Sequence, residues 1–61
     1  MKKIWFNNYE LMELLDDNGI SLIVNENMEI TIQDDEVEKI NTLVRELAPA
    51  AQLDYGIEDL D

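Results

Sequence analysis

Apolar residues along this chain change their spacing several times, and each change marks an element. Lys3 to Phe6 carries a β-branched residue and two aromatics in a row, the composition of a short strand. Spacing near 3.6 follows. Leu11, Met12, Leu14 and Leu15 share one side of a helix over 8–17, with Asn7 as its N-cap. Glu10 stands where a capping box wants an acid, and Phe6 and Leu11 hold the positions of a hydrophobic staple. Gly19 suits the left-handed residue past the helix end, with Ile20 folding back on Leu15 as in a Schellman motif.

From 20 to 33 the spacing drops to 2. Ile20, Leu22 and Val24 alternate along one run, and Met28, Ile30 and Ile32 along the next. Asn25-Glu26-Asn27 between them supplies residues that tolerate the positive φ of a tight loop, so the pair reads as a β-hairpin. Asp34, Asp35 and Glu36 then place three acids at a helix start, where the dipole favours them. Val37, Ile40, Leu43, Val44 and Leu47 form the apolar stripe of that second helix, and Ala48-Pro49 ends it. The last segment, about 50–61, fits two descriptions. Leu53, Tyr55 and Ile57 alternate with polar neighbours as in an edge strand, or anchor an acidic tail.

The order β-α-β-β-α-(β) predicts one α+β domain over 1–61: an antiparallel three- or four-stranded sheet with two helices on one face, a miniature ferredoxin-like sandwich. Turning Ile4 and Phe6 to the helices leaves Trp5 on the other face, near Ile23. Trp5, Ile23 and Tyr55 are then candidates for an apolar interface, for a partner or for a homodimer. Equally, Trp5 is covered by the C-terminal segment or caps the sheet edge.

Charge changes the picture. Fifteen acids stand against four Lys or Arg with no His, a net charge of -11 on 61 residues. Roughly 2 to 8 units suffice to keep a small domain in solution. Excess like charge opposes compaction, so its retention points to a use outside folding. Seven Ile and six Asn argue against salt adaptation as the cause. Direct binding to nucleic acid or an anionic membrane is disfavoured, because both call for a basic footprint and this chain has the reverse. No apolar run approaches the ~20 residues that span a bilayer, and the absence of Cys removes disulfides and thiolate metal sites. A cytoplasmic protein is the expectation.

Catalysis finds little material here. One Ser without His or Cys cannot assemble a nucleophile and its base, and two glycines make no phosphate-cradling loop. Asp16-Asp17-Asn18-Gly19 and Asp34-Asp35-Glu36 lack the ligand spacing of a calcium loop. No enzyme, metal or cofactor is expected.

The acids themselves are the candidate chemistry. Glu10, Glu13 and Asp17 fall at i, i+3 and i+7, with Asp16 beside them. Such neighbours cost a few tenths of a kcal/mol each, and acids at a helix C-terminus also oppose its dipole. Asp34, Asp35, Glu36 and Glu38 extend the charge onto the second helix, and Asp54, Glu58, Asp59 and Asp61 follow near the C-terminus. Carboxylates in rows imitate the phosphates of a duplex, which recur every ~3.4 Å per strand. The chain resembles, in type only, the small acidic decoys that phages use against host defence. The expectation is a DNA-mimic inhibitor. It would seat Glu10, Glu13, Asp16, Asp17, Asp34, Asp35, Glu36 and Glu38 in the basic groove of a restriction or CRISPR effector nuclease, or of a regulator. An antitoxin or immunity protein against a basic toxin, and a homo-oligomeric interaction domain, are the alternatives.

Overall fold

The computed structural model describes residues 1–60; Asp61 lies outside the described residues. In chain order the elements are β1 (Lys2–Phe6), α1 (Tyr9–Asp17), β2 (Ile23–Val24), β3 (Ile30–Ile32), α2 (Val37–Leu47) and β4 (Tyr55–Asp59). Short 3-10 turns occupy Asp34–Glu36 and Pro49–Ala51. The four strands form one antiparallel sheet in the order β2-β3-β1-β4. The expected α+β architecture is present, and its last segment is an edge strand, not a tail.

Alternation along the strands builds the core. Ile4 pairs with Ile30 on one side and Ile57 on the other, which puts all three on one face. Ile4 and Ile32 from the sheet, Leu11 and Leu15 from α1, and Ile40 and Val44 from α2 are buried in a single cluster with Ile20 and Ala51. Both helices therefore cover the same face. Burying each large aliphatic side chain contributes roughly 1.5–3 kcal/mol, and a domain this short has few of them.

Helix α1 is capped at both ends, by a side chain at its start and by the backbone at its finish. The N-cap is Asn8 and not Asn7: Asn8 Oδ1 accepts from the Glu10 N–H at 2.9 Å. Asn7 is drawn off by the sheet, its N–H donating to the Asp54 carbonyl at 2.7 Å. The expected capping box and staple, both counted from Asn7, lose their frame. At the other end the Schellman motif forms as expected. The Ile20 N–H reaches the Leu15 carbonyl at 3.0 Å and the Gly19 N–H reaches Asp16 at 3.1 Å, with Gly19 at φ 87°.

That motif claims Ile20 for the core, so the first hairpin strand shrinks from the expected 20–24 to Ile23–Val24. Its loop also differs from expectation. The positive φ falls on Met28, while Asn25 Oδ1 accepts from the Asn27 and Glu29 N–H groups. Thr31, buried in the sheet, donates its hydroxyl to the Ile23 carbonyl at 2.8 Å and ties the short strand down. In α2 the expected stripe holds through Val44, but Leu47 is 55% exposed, beside the start of α1.

Candidate functional site

The two helices run antiparallel, since Gly19 beyond α1 lies near Lys39 early in α2, and Ser21 contacts Glu36. The C-terminal acids of α1 and the acids that open α2 thus share one end of the molecule. Glu10 is at the far end of α1, beside Leu47. Glu10, Glu13, Asp16 and Asp17 are all exposed on the face of α1 turned away from the core.

The eight expected acids then divide by what they touch. Glu36 is structural: one carboxylate oxygen accepts from the Ser21 N–H at 3.0 Å and the other from Gln33 N–H at 3.4 Å, joining the loop after α1 to the start of α2. Asp34 is also engaged, 2.8 Å from the ammonium of Met1. That hydrogen bond holds its carboxyl below the usual carboxylate range. The remaining six, Glu10, Glu13, Asp16, Asp17, Asp35 and Glu38, have no ion pair among the described residues. The last turn of α1 has no basic residue, and Lys39 of α2 stands near it. A β-carbon built on Gly19 would lie 4.0 Å from its ammonium, so α2 supplies the cation that α1 lacks.

The expected apolar trio is not assembled. Trp5 and Ile23 do stand on the open sheet face, 42% and 53% exposed, but on strands separated by β3. Tyr55 is on the opposite face, paired with Phe6, and its hydroxyl donates to Asn41 Oδ1 on α2. Burial raises the Tyr55 pKa, with nearby Arg45 opposing.

What surrounds Trp5 instead is β4. Trp5 pairs with Gly56, and the indole lies directly over that glycine, where any β-carbon would collide with it. The arrangement covers a glycine that would otherwise weaken the strand. Beside it, Lys3 Nζ is 3.3 Å from Glu29 Oε2, and Asn25 Nδ2 donates to the other oxygen of Glu29 at 3.2 Å. These contacts, Asn25 first and Lys3 second, lower the Glu29 pKa. Lys2 and Asp59 pair across β1 and β4 and lower the Asp59 pKa in the same way. Glu58 is opposite Lys3 in the sheet register, exposed, and without an ion pair among the described residues.

Trp5, Gly56 and Glu58 form a group that the sequence pattern did not single out as a unit. A glycine inside an alternating strand was its one signal, since such a glycine often marks a close approach. The described residues include no cluster of His, Cys, Asp and Glu able to hold a metal ion, and no helix long and apolar enough to cross a membrane. Comparison with protein-family models, curated proteins and solved structures gives no match for this chain.

Proposed function

We propose that this chain is a binding protein that presents carboxylates to a basic nucleic-acid-binding protein, such as a restriction or CRISPR effector nuclease, and competes with nucleic acid for its groove. The observation that carries the reading is the set of six unpaired acids on the outer side of α1 and around the start of α2. Four of them follow one helix face at a spacing of about 5–6 Å between side-chain bases, a row a phosphate-binding groove can accept. Asp34 and Glu36 leave this set, because folding already uses them. Charge of one sign also steers encounter with a basic partner and speeds association.

The test is competition against a labelled DNA duplex for a basic nuclease, read across ionic strength. Direct binding of the chain to the nuclease, measured without DNA in the same salts, weakens as ionic strength rises, because exposed charge pairs are screened. Replacing Glu10, Glu13 and Asp17 by Gln removes three exposed contacts worth roughly 0.5–1 kcal/mol each, so competition falls about tenfold or more. A triple variant that competes as well as the parent removes α1 from the interface. Direct binding that is flat in salt removes phosphate mimicry altogether. An antitoxin or immunity role has the same electrostatics and is separated by its partner, a basic toxin in place of a nuclease.

A further inference from the structure

We infer that the outer edge of β4 docks an extended, basic segment of a partner protein, whose backbone continues the sheet and whose cationic side chains meet Trp5 and Glu58. The inference rests on the reading of a basic protein as partner and adds where on this chain its backbone pairs.

The argument begins with the two sheet edges. At one edge β2 is two residues long, too short to template another strand. At the other, β4 offers five residues in unbroken register with β1, with no bulge or Pro, and the charges that guard it, Glu58 and Asp59, are acids that repel a like strand and admit a basic one. The direction of its backbone groups follows from the ladder. Asn7 and Asp54 are hydrogen-bonded directly opposite each other. Antiparallel pairs alternate between bonded and unbonded, so Gly56 and Glu58 bond inward to Trp5 and Lys3. Tyr55, Ile57 and Asp59 therefore turn their N–H and C=O groups outward. The Asn25 N–H bond to the Glu29 carbonyl fits the same alternation carried across the sheet to β2.

Both sides of this edge are shaped to receive side chains. On the helix side a groove of about 600 Å³ runs between β4 and α2, lined by Lys2, Asn41, Gln52 and Asp59 as well as by Val37 and Ile57, and an added strand would turn a small apolar side chain toward Val37 and Ile57. On the open face Gly56 has no side chain, so the Trp5 indole reaches across it toward the edge. A residue placed opposite Gly56 meets the ring, and its neighbour two positions along meets Glu58. An arginine or lysine is favoured at both positions, by stacking on the indole and by charge. Added strands gain affinity from the main chain and specificity from alternate side chains.

Charge also chooses the occupant. β4 carries Glu58 and Asp59, follows Asp54, and has no basic residue of its own. Pairing with a second copy would bring together two chains of net charge -11. A segment alternating basic and apolar residues has the complementary pattern.

The experiment is amide hydrogen exchange on the full chain, with and without a synthetic peptide alternating arginine and valine. Exchange slows at Tyr55, Ile57 and Asp59 and stays unchanged at Gly56 and Glu58, an alternation that a general electrostatic contact does not produce. Glu58→Lys weakens peptide binding roughly fivefold, the upper end for an exposed ion pair. A peptide with glutamate in place of arginine recovers it. The E10Q, E13Q, D17Q variant keeps the alternating protection, which separates this edge from the helix surface. No binding, uniform protection, or changes confined to α1 and the start of α2 overturn the inference, and the last of these leaves the acidic-surface reading standing. Protection of the same three amides without peptide, growing with protein concentration, identifies a second copy as occupant and also overturns it.

Discussion

Gly56→Ala tests the stacking of Trp5 on β4 directly. In an ordinary strand the change is favourable, because glycine costs roughly 0.5–1 kcal/mol relative to alanine in lost backbone freedom. Here the new β-carbon would stand 2.5 Å from Trp5 Cζ2 and closer still to Cε2 and Nε1. No packing tolerates that, so the indole must leave the strand or the strand must shift. Overpacking of this kind costs about 1–3 kcal/mol. Net of the backbone gain, Gly56→Ala should destabilise the protein by about 1 kcal/mol, which lowers the Tm of a domain this size by roughly 4–8 °C. With Trp5→Ala as background the obstacle is gone, and the same change should stabilise by about 0.5–1 kcal/mol. Thermal unfolding of the four proteins of this cycle, followed by far-ultraviolet circular dichroism, gives the coupling between the two sites. Tryptophan emission should move to the red in the single Gly56→Ala variant as the ring meets more water. An equal loss in both backgrounds would show that the cost lies in the backbone at 56 and that the indole is not seated there.

Gly19→Ala should cost about 1–2 kcal/mol, through the left-handed backbone at φ 87°. Lys39 leaves a methyl room there, so Gly19→Asn should recover part of the loss in the same urea titration. Acidification makes a separate forecast. Glu29, Asp34 and Asp59 have pKa values lowered by their hydrogen-bonded partners, so each stabilises the fold above its unfolded pKa and loses that contribution as pH falls through the folded one. Their contribution to the urea midpoint should hold from pH 7 to about 5 and decline below about 4.5, and Glu29→Gln should flatten the decline; an unchanged slope would mean that Asn25 and Lys3 do not hold that carboxylate.

Local signals in the sequence were reliable where the partner of a residue is also local. The Schellman end of α1 needs only residues 15–20, and it stands as expected. The start of the same helix needed information from far away. Asn7 and Asn8 are both able caps, and the choice is made by the Asp54 carbonyl, which takes the Asn7 N–H into the sheet. Distance along the chain also explains the two acids lost from the surface set. Asp34 finds the Met1 ammonium and Glu36 finds the Ser21 N–H, contacts that no periodicity announces. Tyr55 was misplaced for a similar reason. Its face is decided by pairing with Phe6, and the alternation of β4 does not say which set of residues turns to the helices. Trp5 was rightly turned from the core, but its seat on Gly56 depends on the register of the first strand against the last.

The partnership of those two strands also has a bearing on how the molecule is made. β1 lies inside the sheet, yet one of its two neighbours, β4, is made about fifty residues after it. Until β4 arrives, the nascent protein carries a bare strand at Lys3, Trp5 and Asn7, beside an indole with nothing beneath it. Closing so long a loop is slow relative to forming helices, which leaves time for misassociation between growing copies. A net charge of -11 on every copy opposes that misassociation, since like-charged chains repel.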